Sequence, residues 1–236
     1  MSNEYFQFKQ FRIEQGSCAM KVSTDACIQG AWTPVRDDVR HVLDIGAGTG
    51  LLSLMLAQRN ANVQIDAIEI DSSAAEQAAE NVLSSPWRDR IKIINADARE
   101  YSSVKKYDLI ICNPPFFNNS LTGDDIGRNI ARHTLSLSYD DLLNSMNNLL
   151  ADSGYISVLL PADEFMIFEQ MADEKGLHAF RQLNVKHTID AKVKRIVGLF
   201  GKAHNDACLQ ETLVIKDGIN YTSIFIDLLH PYYSGL

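Results

Sequence analysis

Val42–Arg59 reads VLDIGAGTGLLSLMLAQR, and this stretch decides the fold. Val42 to Ile45 is a short apolar run of the kind that forms a strand buried on both faces. Gly46 to Gly50 supplies three glycines in five residues, which permit a tight turn and a close backbone approach to a ligand. Leu51 to Arg59 then reads as a helix. A strand, a glycine turn and a helix in that order open a doubly wound α/β sheet. The spacing is GxGxG, and Leu51 stands where the dinucleotide fingerprint needs a small sixth residue. Nicotinamide and flavin sites use that small residue for close helix packing.

The alternation continues outward from this stretch. Gln64 to Ile70 predicts a second strand, Ser72 to Leu83 a helix capped at its Ser start, and Arg90 to Asn95 a third strand. Tyr107 to Cys112 is a fourth strand, stopped by Asn113-Pro114-Pro115. Ser138 opens a helix running to about Leu150, with Gly154 ending the loop behind it. Tyr155 to Leu160 is a fifth strand, and Pro161 to Lys175 a helix ended by Gly176. Phe180 to Thr188, Val193 to Lys202 and Gln210 to Lys216 are β-rich without intervening helices, and predict the antiparallel end of the sheet. Tyr221 to Leu229 predicts a closing helix. Phe6, Phe8 and Phe11 alternate as in a half-buried strand. Residues 1–236 read as one domain, with 1–40 as an extension before the glycine turn.

Three acids fall at successive strand ends. Asp44 sits just before the turn, placed to meet an ammonium group. Glu69 ends the second strand, where a carboxylate accepts from both ribose hydroxyls. Asp97, with Ala98 beside it, follows the third strand, placed to accept from an adenine amino group. Each acid alone is more often a solvated loop residue. Together, at the edge where such sheets bind ligands, they describe an amine, a ribose and an adenine with no phosphate: S-adenosylmethionine.

Asn113-Pro114-Pro115-Phe116 follows the apolar run DLIIC. Two prolines fix φ and remove two donors, leaving a rigid corner that presents acceptors. An adenine amino nitrogen is barely nucleophilic, because its lone pair is delocalised into the ring. Acceptors at the Asn113 side chain and the Pro114 carbonyl favour a pyramidal nitrogen with its lone pair free. Phe116, with Phe117 next to it, supplies a ring for the base to stack on. The alternative is a proline-terminated edge strand with a core Phe, and the glycine motif upstream favours the catalytic reading.

LDIGAGTG, Glu69, Asp97 and NPPF together resemble the class I methyltransferases that modify exocyclic amino groups and glutamine amides. Met20 to Trp32 (MKVSTDACIQGAW), Asn113 to Leu121 (NPPFFNNSL) and Ala131 to Leu143 (ARHTLSLSYDDLL) add a closer resemblance, to the bacterial tRNA1(Val) adenine-N6 methyltransferase family. That resemblance covers nearly the whole chain. It implies a seven-stranded Rossmann-like sheet, mostly parallel with an antiparallel C-terminal strand. It also implies S-adenosylmethionine as cofactor, and a flipped or unstacked adenine at tRNA position 37 as substrate. Many relatives carry Tyr at the place of Phe116, and either ring stacks. The resemblance further suggests that Met20 to Asp25 folds over the cofactor, adding Lys21 and Thr24 to its site. Without it, Thr24 is a helix cap. Arg128, Arg132 and His133, after the corner, read as phosphate contacts or as a solvated helix face.

The chain has 236 residues, 46% hydrophobic, ordinary for a globular protein. No apolar window of about 18 residues predicts a membrane span. The N-terminus MSNEYFQFKQFRIEQ lacks the pattern of a secretory signal. Cys18, Cys27, Cys112 and Cys208 form no CxxC pair, and predict reduced thiols in a cytoplasmic protein with no metal site. The net charge of −8 opposes RNA binding unless cations gather on one surface. Asn184 to His204 holds Lys186, Lys192, Lys194, Arg195 and Lys202 against Asp190, and is a candidate RNA-facing stretch or a set of ordinary solvated strand ends. Three other functions remain open here. They are a glutamine-N5 methyltransferase of proteins, an rRNA guanine-N2 methyltransferase, and a non-catalytic RNA-binding protein. The first usually carries a separate helical domain, for which some forty leading residues are too few.

Overall fold

The computed structural model describes residues 4–18, 21–114, 137–204 and 207–235. A hairpin of β1 (Tyr5–Gln7) and β2 (Arg12–Glu14) comes first. Phe6 lies in β1, whereas Phe8 and Phe11 stack across the turn with ring centroids 4.5 Å apart. The aromatic alternation thus marks a hairpin and its turn, not one continuous strand. α1 (Thr24–Trp32) follows, and its cap is Ser23, whose Oγ accepts from the Ala26 N–H at 3.2 Å.

β3 (His41–Ile45), α2 (Leu51–Arg59), β4 (Gln64–Glu69), α3 (Ser72–Leu83), β5 (Ile91–Asn95) and β6 (Tyr107–Cys112) build the first half of the sheet. α3 is capped by Asp71, one residue before the predicted Ser, through Oδ1 and the Ala74 N–H at 2.8 Å. α4 (Tyr139–Leu149) is capped by Ser138. β7 begins at once, at Leu150, and runs to Pro161. The predicted loop before Gly154 is therefore the irregular start of a strand, with a register shift against β6 between Tyr107 and Leu109. Gly154 has a steric reason there, since a Cβ would lie 2.8 Å from the Tyr107 carbonyl oxygen. α5 (Ala162–Glu174), β8 (His178–Thr188), β9 (Arg195–Gly201), β10 (Leu209–Asp217), β11 (Asn220–Tyr221) and α6 (Ser223–Leu229) complete the order.

The main sheet has nine strands in the order β11-β10-β8-β9-β7-β6-β3-β4-β5. Seven of them, β5 to β8 in that order, make the predicted doubly wound core. β9 runs antiparallel to both β7 and β8. β10 differs from expectation by pairing parallel to β8. The reason is the short connection: β9 ends at one edge, so β10 must start there and run back, and β8 already fills the place beside β9.

Alternation along the strands divides the core in two. Val42, Leu109, Ile111 and Leu159 face α1, α2 and α6. Leu43, Ile45, Ile110, Ile156 and Val158 face α4 and α5, which contribute Leu142, Met146, Phe165 and Phe168. Burial of this kind is worth roughly 25 cal/mol per Å² of apolar surface, and it holds the strand ends in register. Among the described residues no helix is long and apolar enough to cross a membrane.

Candidate active site

The site lies at the C-terminal edge of the parallel strands, where β3 has β4 on one side and β6 on the other. This reversal of strand order opens a crevice beyond the strand ends. Gly46, Gly48 and Gly50 have φ of 74°, 55° and 80°, a region that favours glycine, so the turn leaving β3 demands them. A Cβ on Gly46 or Gly48 would meet nothing within 4 Å, so both present bare backbone to open space.

A cavity of about 330 Å³ occupies the crevice. Of the residues singled out from sequence, Gly46, Gly48, Glu69, Asp97, Ala98, Asn113 and Pro114 line it. Glu69 is fixed by the turn it faces: Oε2 accepts from the Gly48 N–H at 2.8 Å and Oε1 from the Asp71 N–H at 3.0 Å. A carboxylate has about four lone-pair positions, so acceptor capacity remains. Asp97 is gripped by Arg99, whose Nε lies 2.9 Å from Oδ2 and whose backbone N–H donates to Oδ1 at 2.9 Å. That guanidinium holds the Asp97 carboxyl below its usual range. Ala98 is anchored through its carbonyl, which accepts from Ser145 Oγ at 2.9 Å.

Asp44 and Gly50 stand behind the wall instead of lining it. Asp44 is completely buried; its Oδ2 accepts from Ser53 N–H at 3.1 Å and Ser53 Oγ at 2.7 Å, tying β3 to the start of α2. Its Oδ1 has no hydrogen-bond partner among the described residues. Burial pushes its pKa up to about 6 against those two Ser53 hydrogen bonds.

Asn113 follows β6, beside the glycine turn, because Ile45 and Cys112 are register partners. Its side-chain Oδ1 is buried and likewise has no partner among the described residues. A buried acceptor left unmade costs about 1–3 kcal/mol, and no donor for this oxygen is found among the described residues. Phe116, Phe117, Arg128, Arg132 and His133 lie outside the described residues.

The N-terminal segment reaches the cavity through residues that carried no signal in the sequence. Ser17 and Cys18 line it, whereas Lys21 and Thr24 are exposed and do not. The hairpin and α3 cause this. Asn81 Oδ1 accepts from the Glu14 N–H at 2.8 Å, and its Nδ2 donates to the Glu14 carbonyl at 2.9 Å and to the Thr49 carbonyl at 3.0 Å. One side chain thus ties the strap to the glycine turn. Asp71 and Arg99 also enter the wall, each held to the acid two residues before it, Glu69 and Asp97. Cys112 lines it too, and burial raises the pKa of both it and Cys18. Neither is poised as a thiolate nucleophile, and the site is built to bind and orient.

The candidate RNA-facing cations divide between two edges. Pro161 pairs with Arg195 and Arg195 with Val185, so Lys186, Lys192, Lys194 and Arg195 gather at the same sheet edge as Asn113. Lys192 and Lys194 are exposed, and Arg195 Nε pairs with Asp25 of α1 at 3.2 Å. Lys202 sits at the far end of β9, paired with Asp152 at 3.2 Å, and does not join them.

Comparison with known proteins agrees with this architecture. The family model for the methyltransferase small domain matches residues 32–138. The crystal structure of a predicted O-methyltransferase from Agrobacterium tumefaciens aligns with a TM-score of 0.68, covering 88% of this chain and 96% of that one. At 16% identity that likeness is one of fold alone. The class is therefore that of the Rossmann-like methyltransferases. Within it, the chain is 44% identical to the tRNA1(Val) (adenine(37)-N6)-methyltransferase of Dyadobacter fermentans, with 98% of each covered. It is 43% identical to the protein of the same name from Bacteroides fragilis, with 99% of each covered. The chain belongs to this family of tRNA1(Val) (adenine(37)-N6)-methyltransferases.

Proposed function

We propose that this protein transfers a methyl group from S-adenosylmethionine to the 6-amino nitrogen of adenine 37 in tRNA1(Val). The observation that carries the reading is the Oδ1 of Asn113, buried at the wall of the cavity and without a partner among the described residues. An amino N–H of the base is the donor it lacks. With the Pro114 carbonyl it holds the two amino hydrogens, leaving the nitrogen lone pair directed at the methyl. Phe116 stacks on the base and keeps it in line.

The residues fit the cofactor. Glu69 has acceptor capacity for the ribose hydroxyls, and Asp97 and Ala98 border the place for the adenine. The Oδ1 of Asp44, without a partner among the described residues, suits an ammonium reached past the bare turn Gly46–Gly50. Bound there, S-adenosylmethionine supplies an electrophilic methyl sulfonium. Ser17 and Cys18, which line the cavity, are the part of the N-terminal extension that closes over it.

The glutamine-amide alternative loses support, since the relatives that are 43–44% identical over nearly the whole chain carry the tRNA adenine-N6 name. In this reading residues 1–236 act as one domain, tRNA is the macromolecular partner, and the protein works in the cytoplasm. Lys192, Lys194 and Arg195, with Arg128, Arg132 and His133, are the phosphate contacts. The test is nucleoside mass spectrometry of tRNA after incubation with labelled cofactor. N6-methyladenosine at position 37 is expected. N2-methylguanosine, or label in protein glutamine alone, overturns the assignment.

A further inference from the structure

We propose that Gln29 is a positioning residue for the catalytic corner, acting through the carbonyl of Cys112, the residue that leads into Asn113. This rests on the methyl-transfer reading above. Gln29 lies in α1 and is completely buried. Its Nε2 donates to the Cys112 carbonyl at 3.0 Å and to the Ser157 carbonyl at 3.2 Å, bridging the end of β6 and the interior of β7. One turn on, Thr33 Oγ1 lies 2.7 Å from Ser157 Oγ. A buried polar stripe on α1 therefore grips the sheet at the point where β6 gives way to the corner.

Stability alone does not account for this amide. Its Oε1 has no partner among the described residues, and an unpaired buried acceptor costs the fold what a leucine would not. The corner accounts for it. Past Cys112, Asn113 carries the last backbone N–H before Pro114 and Pro115, which have none to donate. The last carbonyl before Asn113 is where a side chain can set the corner's direction. α1 is a firm base for that task, because Gly30 packs so closely on α2 that a Cβ would fall 2.8 Å from Met55 Sδ. A small displacement of an acceptor costs rate more than affinity, since alignment matters most in the transition state.

The experiment uses the full chain with three variants. Gln29→Leu is expected to lower kcat about tenfold or more, with KM for tRNA and for S-adenosylmethionine within about twofold of wild type. Thr33→Val removes a bond of the same stripe without touching Cys112; it is expected to lose thermal stability yet keep kcat within about twofold. Gln29→Glu can donate to Cys112 only when protonated, so its kcat relative to wild type is expected to rise as pH falls. This pH series decides the matter should Gln29→Leu fail to fold. A readout independent of turnover is the Asn113 side-chain amide in a 15N-labelled protein, expected to shift in Gln29→Leu and to stay put in Thr33→Val. Wild-type kcat and an unmoved Asn113 amide in Gln29→Leu overturn the proposal, as does a kcat loss in Thr33→Val as large as that in Gln29→Leu. A wild-type protein that methylates no tRNA instead overturns the functional reading, while the amide resonance still decides the role of Gln29.

Discussion

Asp44 and Asn113 each leave one buried oxygen without a partner among the described residues, and each makes a prediction. Burial raises the Asp44 pKa to about 6 from its usual 3.8. The fold therefore favours the protonated acid, and ionising it as pH rises from about 4 to 6 removes stability, on the order of 3 kcal/mol. A cationic ligand beside Oδ1 reverses this by favouring the carboxylate. Calorimetry should find S-adenosylmethionine binding tightening between pH 5 and 7, with proton release below pH 6. Asp44→Asn should flatten that dependence; an unchanged pH profile in the variant sinks the assignment of Asp44 to the ammonium. For Asn113 the loss belongs to the transition state. Asn113→Ala should cut kcat by a hundredfold or more, roughly 3 kcal/mol, with cofactor affinity within about twofold. Wild-type turnover in that variant would make the corner purely structural.

At the scale of elements, the strap Glu14–Cys18 is set by a contact that its own sequence does not announce. Asn81 on α3 takes both backbone groups of Glu14 and the carbonyl of Thr49. Asn81→Ala should cost about 1–3 kcal/mol, since buried backbone groups lose their partners. It should also speed amide exchange at Glu14 and weaken cofactor binding, because Ser17 and Cys18 of the same strap line the cavity. Unaltered exchange at Glu14 would show that the strap holds without this side chain. The helix caps carry a related lesson. The sequence offers Ser23-Thr24-Asp25 and Asp71-Ser72-Ser73 as runs of capping residues, and the caps fall on Ser23 and Asp71. Every residue in such a run can cap, so packing of the helix that follows decides which one does.

For the whole molecule, the open question in the composition is how a chain of net charge −8 meets RNA. The proposed answer lies in strand direction: antiparallel β9 brings Arg195 and its neighbours back to the edge that holds Asn113, and carries Lys202 to the other. Reversing Lys192 and Lys194 to Glu should raise KM for tRNA and flatten its steep salt dependence, since each lost phosphate contact releases fewer counterions. S-adenosylmethionine affinity should not change. Reversing Lys202 should do neither. Equal effects at the two edges would place the RNA footprint elsewhere.

Local sequence was enough for the strand–turn–helix order, the glycine turn and the acids at strand ends. These are local: each follows from backbone sterics or from periodicity within a few residues. The tertiary structure alone decided that β10 runs parallel to β8, that Ser17 and Cys18 reach the cavity while Lys21 and Thr24 do not, and that Asp44 lies behind the wall. It alone placed Gln29 against Cys112. These depend on pairings between residues up to 128 apart in the chain, as for Gln29 and Ser157. No local propensity encodes them, because their energy appears only when separate elements pack and bury the same surface.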